Sequence, residues 1–85
     1  MKYLDYKVVV RPGQAIVVTL DGAANVRVMD DANLSRYRRG EPYRSYGGKV
    51  RRSPAVVMPP TPGRWNVTID LGGRSGRVQA SVSVQ

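Results

Sequence analysis

Arginine, lysine and tyrosine are the residues with the most chemistry to offer in this chain, and they are unevenly spread. Seven of the 14 basic residues lie within residues 36–52: Arg36, Arg38, Arg39, Arg44, Lys49, Arg51 and Arg52. Glu41 is the one acid among them, so this segment carries +6 of the net charge of +8. Tyr37, Tyr43 and Tyr46 are interleaved with the charges. Guanidinium groups fork onto phosphate or carboxylate oxygens, and tyrosine rings stack on unpaired bases. The rest of the chain is almost neutral, with seven basic against five acidic residues. A field this local points to an anionic partner, either nucleic acid or the acidic face of another protein. The aromatic signatures of the known RNA-binding modules are not found in the sequence. The competing reading is a solvated face whose tyrosines fill the edge of the core.

Other residue groups offer less. Gly72-Gly73-Arg74-Ser75-Gly76-Arg77 invites an anion nest, in which backbone N–H groups join Arg74 and Arg77 around a phosphate. It lacks the Gly-Lys-Ser/Thr ending of a nucleotide loop and precedes no helix, so a glycine-rich hairpin turn is the simpler reading. Asp30 and Asp31 with Asp21 or Asp70 lack the loop spacing of a hard-cation site, and helix capping accounts for Asp30-Asp31 better. Asp70, at the end of its strand, is expected to pair with an arginine near the hairpin. The chain has no histidine and no cysteine, so there is no imidazole base, no thiolate ligand and no disulfide framework. The serines have nothing to activate them, and no Ser-x-x-Lys occurs. No catalytic residue, metal site or cofactor is assigned, and the expectation is a non-enzymatic binding module.

The elements that must position these residues are mostly strands. Trp65, Val67, Ile69 and Leu71 alternate with Arg64, Asn66, Thr68 and Asp70, and Val78, Ala80, Val82 and Val84 alternate with polar neighbours. A period of two marks half-buried strands, with the polar set facing water. The pair is expected to form a hairpin through residues 72–76. Tyr3 to Val10 reads as a strand, Pro12-Gly13 as a turn, Gln14 to Leu20 as a second strand and Asn25 to Met29 as a third. Val9 and Val17 lie on the second faces of their strands, where a loop or a second copy of the chain would cover them. Asp30 or Asp31 caps a short helix near residues 31–39, with Leu34 and Tyr37 on one side, arginines at its C-terminal end and Gly40 as its stop. Tyr43 to Ser53 reads as extended, bent at Gly47-Gly48. Ala55 to Met58 is a short strand bracketed by prolines, which suits a sheet edge. The expected core is Trp65, Ile69, Val67, Val8, Val10, Ile16, Val18, Val26 and Val78.

The length of 85 residues makes one domain, residues 1–85. Asp5 stands where a signal peptide needs an apolar core, and no apolar run approaches the roughly 20 residues that cross a bilayer. The expectation is a cytoplasmic protein with no membrane partner.

At Met-Lys-Tyr-Leu-Asp-Tyr (1–6), Ala-Ala-Asn-Val-Arg-Val-Met-Asp (23–30), Tyr-Gly-Gly (46–48), Ser-Pro (53–54) and Trp-Asn-Val-Thr-Ile-Asp-Leu-Gly-Gly (65–73) the chain resembles a family of short bacterial proteins known only as a domain of unknown function. In some members that domain is joined to a TIR-type domain. The resemblance implies a β-sandwich and a bacterial source, and it brings no activity and no catalytic residue. A weaker likeness, through Pro-Gly-Gln, Val-Arg-Val-Met-Asp and Pro-Gly-Arg-Trp, runs to small β-sandwich domains beside secreted peptidases.

The expectation is therefore an all-β protein, a small antiparallel, jelly-roll-like β-sandwich of about seven strands with one short helix. It would present residues 36–52, with Arg74 and Arg77 as outliers, to nucleic acid or an acidic protein. The alternatives are a self-associating structural or regulatory module, hence a homo-oligomer, and a small-ligand sensor acting with a separate effector such as a TIR-type protein.

Overall fold

The computed structural model describes residues 3–85. Met1 and Lys2, which open the first of the motifs above, lie outside the described residues. Among the described residues seven strands and one helix follow in the order β1 (Tyr3–Val10), β2 (Ile16–Leu20), β3 (Ala24–Met29), α1 (Asp31–Arg39), β4 (Tyr46–Val50), β5 (Ala55–Val57), β6 (Gly63–Asp70) and β7 (Ala80–Val84). The strands form two antiparallel sheets, one in the order β1-β6-β3-β4 and the other β5-β2-β7. Together they make an all-β sandwich.

The interior between the sheets is built from one face of each strand. Val10, Ile16, Val18, Val26, Val28, Trp65, Val67 and Ile69 are buried there, with Val8 and Val78 half-buried against them. Each fully buried aliphatic side chain of this kind contributes about 1.5–3 kcal/mol. Trp65 Nε1–H donates to the Thr61 carbonyl at 2.9 Å, which satisfies the indole inside the apolar layer.

The helix covers the other face of the four-stranded sheet. Asp30 Oδ1 accepts from the Asn33 N–H at 2.8 Å, and Gly40 ends the helix in the left-handed region at φ 72°. Leu34 and Tyr37 project from it onto Met29, with Tyr3 and Tyr43 at the margin. This second small core has a consequence for β6. Asn66, Thr68 and Asp70 alternate with the apolar set, yet all three are buried. The polar face of β6 points not to water but under the helix.

The expected hairpin between β6 and β7 does not form. β6 lies between β1 and β3, so neither of its edges is open to β7. β7 pairs instead with β2 in the opposite sheet. Residues 71–79 therefore cross between layers, docked by paired hydrogen bonds between Asp21 and Gln79. Every other connection except β3–α1–β4 also changes sheet.

Candidate functional site

The basic segment runs along three different elements. Arg36, Arg38 and Arg39 sit in the last turn of α1. Arg44 lies in the strand-free segment that follows, where its backbone N–H donates to Asn33 Oδ1 at 2.8 Å. Lys49 belongs to β4, and Arg51 and Arg52 follow that strand. Register fixes their relation. Lys49 is opposite Asn25, and Val50 opposite Ala24, so the chain leaves β4 at the same end of the sheet as Tyr3 and Asp70, which oppose each other. Arg44 lies at the other end of β4. The segment is thus spread along one sheet edge and one helix.

Two of the arginines are already partnered. Arg38 Nη2 donates to Asp5 at 3.0 Å, and its Nε–H donates to the Tyr3 hydroxyl at 2.6 Å. Arg39 forks onto both oxygens of Glu41 at 2.7 and 3.2 Å. The hydrogen bond from Arg39 holds the Glu41 carboxyl below its ordinary value, and the charges of Arg39 and Arg36 add to it. Arg36, Arg44, Lys49, Arg51 and Arg52 are exposed, with no ion pair among the described residues.

The tyrosines do not line that surface as a set. Tyr37 is buried, and its ring meets Tyr3 and Tyr43 edge to face at 5.1 and 5.2 Å. Tyr37 is therefore a core residue rather than a stacking platform, because the helix that carries it needs an apolar anchor at that position. Tyr43 is half-buried against it. Tyr46 stays 46% exposed, with one edge on Trp65 at 6.0 Å.

Beneath the helix lies a polar cluster that the sequence reading did not single out. Asp70 Oδ2 accepts from Arg27 at 2.6 Å and from the Tyr37 hydroxyl at 2.8 Å. Its Oδ1 accepts from Asn25 at 2.9 Å and from the Gly72 N–H at 2.8 Å. The partner of Asp70 is thus Arg27, on the neighbouring strand, and not an arginine near the crossover. Burial pushes the Asp70 carboxyl up. The hydrogen bonds from Asn25, Tyr37 and Gly72 and the charge of Arg27 outweigh burial and leave it below its ordinary value. Burial first, and the bond to Asp70 second, push the Tyr37 hydroxyl well up. The alternation of Asn25 and Arg27 with Val26 and Val28 was the available signal, since it marks a polar face that meets the polar face of β6. A second network joins Asn66 to Lys7, Asp31 and the Met29 carbonyl. Asp30 and Asp31 are accordingly engaged at the helix start, and no group of three or more candidate metal ligands occurs among the described residues.

The crossover 71–79 lies close to the β4 end of this arrangement. A side chain added at Gly72 would meet Asn25, the cross-strand neighbour of Lys49, at 3.1 Å. Arg74 and Arg77 are exposed on the same crossover. A cleft of about 660 Å³ opens where it leaves the sheet, lined by Leu4, Ile69, Leu71 and Val78, with Asp21 and Arg77 also in its wall. Among the described residues no helix is long and apolar enough to cross a membrane.

The profile of one protein family, described as "Domain of unknown function (DUF1883)", matches residues 1–85. No curated protein and no solved structure matches the chain.

Proposed function

The chain belongs to the DUF1883 domain-of-unknown-function family, and from that premise we propose that it is a non-enzymatic binding module that docks an anionic partner by charge rather than by stacking. The observation that carries this reading is the contrast within the basic segment. Arg38 and Arg39 are tied to Asp5 and Glu41, whereas Lys49, Arg51 and Arg52 stand exposed with no ion pair among the described residues. They follow one another out of β4, and Gly72 of the Arg74- and Arg77-bearing crossover abuts Asn25, opposite Lys49. The contact surface is therefore Lys49, Arg51 and Arg52, extended by Arg74 and Arg77, with Arg36 and Arg44 at its margins. Tyr46 is the one tyrosine of the segment placed to touch a partner.

A phosphate backbone suits such a surface, because unpaired guanidinium groups release counterions from it without first breaking internal ion pairs. An acidic protein face is the competing partner. Fluorescence anisotropy of the purified chain with a labelled duplex, a labelled single strand and an acidic peptide, each titrated across salt, separates them. Binding to nucleic acid should weaken linearly in log–log salt, by about 0.9 per phosphate neutralised. Absence of nucleic-acid binding at low ionic strength removes that partner, and absence of binding to every polyanion removes the reading.

The cleft favours a second reading, a small-ligand sensor. Its volume of about 660 Å³ falls within the span of small-molecule sites, about 300–1,000 Å³. Leu4, Leu71 and Val78 offer an apolar wall, and Arg77 a cationic one. A thermal-shift screen with nucleotides and amphipathic organic anions tests it, and a flat response leaves it unsupported.

A further inference from the structure

We infer that the free edge of β1 is a homodimer interface, in which two copies pair antiparallel about a two-fold axis at Tyr6 and join their four-stranded sheets into one of eight strands. The edges of the two sheets differ in how open they are. β5 is three residues long and hemmed in by Pro54 and Pro59. β4 contains Gly47 and Gly48, whose φ values of 103° and 158° take it out of regular strand geometry. β7 has five residues. β1 has eight, with no glycine or proline, and among the described residues it pairs along one edge only, with β6. Its unpaired N–H and C=O groups run for about 27 Å, a template for another strand.

The side chains choose the partner. A two-fold axis normal to the sheet keeps each face on its own side, so residues that meet must share a face, and the sum of their numbers is even. An axis at Asp5 sets Asp5 against the partner's Asp5. An axis at Lys7 sets Lys7 against the partner's Lys7. Both juxtapose like charges, which disfavours pairing. An axis at Tyr6 instead brings the partner's Lys7 to Asp5, which already takes Arg38 at 3.0 Å and lies 3.8 Å from its own Lys7, so no like charges meet and one more cation joins the Asp5 carboxylate from across the axis. The same register sets Val9, 63% exposed, against the partner's Tyr3, and Leu4, 39% exposed, against the partner's Val8. Val9 lies on the face that carries Tyr3, so the pairing would extend the Tyr3–Tyr37–Tyr43 apolar row of each protomer across the interface. Antiparallel ladders admit a self-paired residue at either type of hydrogen-bonding position, so an axis at Tyr6 fits whichever of the two it occupies. Both helices then lie on one face of the joined sheet. The inference does not depend on what the basic residues bind.

The test combines sedimentation velocity with spin-label distances. The chain has no cysteine, so Arg64→Cys, on β6 opposite Val9, carries a single nitroxide at an exposed position outside both the core and the proposed interface. Dimer should accumulate with concentration, and the two labelled positions should lie about 25 Å apart, six strand residues along and three strand spacings across. Lys7→Glu, which opposes the partner's Asp5, should weaken the dimer at least tenfold. Lys7→Gln, which also loses the bond to Asn66 but reverses no charge, should weaken it less. A strict monomer at millimolar concentration overturns the inference. So does a dimer lacking the distance of about 25 Å, or equal weakening by the two Lys7 variants.

Discussion

Asp70 takes four hydrogen bonds under the helix, from Asn25, Arg27, Tyr37 and the Gly72 N–H. A buried carboxylate is tolerated only when donors replace its lost hydration, and here they outweigh burial. Its pKa in the folded chain therefore lies below the ordinary value of 3.8. A depressed carboxyl contributes stability that is complete above the unfolded value and is lost as pH falls through the folded one. Asp70→Asn should cost about 3 kcal/mol, since it leaves Arg27 and Tyr37 facing an amide. Urea titrations at pH 7 and below pH 4 check this. The variant's stability should fall less steeply in acid than that of the parent chain, and equal steepness would mean that other carboxylates set the acid limit. Tyr37→Phe should cost about 1–2 kcal/mol in the same assay, because one donor to the charged group is removed. The residues of this network were readable as a polar face on β6 and another on β3. What covers those faces was not, because alternation records which side chains share a face and not what lies above it.

At the scale of elements, legibility depended on whether the signal was local. The helix was readable to its ends, since Asp30 and Gly40 act on neighbours within a few residues. Asp30→Ala should cost about 1 kcal/mol through the lost cap, read by thermal melting. Strand positions were readable from their alternation to within a few residues, β2 and β7 forming two residues later than the pattern suggests. Strand partners were not, because turn residues show that the chain reverses and not which layer it returns to. The crossover 71–79 illustrates this. Its glycines suit a hairpin, but β1 and β3 already occupy both edges of β6. Gly47 is the most constrained position of this kind. Its φ is 103°, and a Cβ there would collide with the Val26 carbonyl oxygen on the paired strand. Gly47→Ala should detach β4 from β3 locally and cost about 2–3 kcal/mol. Amide exchange should report it as faster exchange in β4 with β1 and β6 still protected. Unchanged protection of β4 would show that the edge tolerates a side chain.

Across the whole molecule the net charge of +8 is less informative than its distribution between partnered and unpartnered groups. The sequence located the cations but could not sort them, because Asp5 lies far from Arg38 in the chain and meets it only once α1 packs across β1 and β6. That sorting divides two otherwise equivalent substitutions. Arg51→Ala removes an exposed cation with no ion pair among the described residues, so folding stability should change by less than about 0.5 kcal/mol. If residue 51 meets a phosphate, the salt slope of nucleic-acid binding should become shallower by about 0.9. Arg38→Ala removes a guanidinium already shared by Asp5 and Tyr3. It is half-exposed, so the loss to stability should be small, and the salt slope should hardly move, since its counterion is the protein's own carboxylate. The comparison needs only anisotropy titrations at several salt concentrations beside a thermal melt of each variant. Equal effects of the two substitutions on the slope would mean that ion pairing within the fold does not decide which arginines reach the partner, and the binding surface would then have to be redrawn to include the end of the helix.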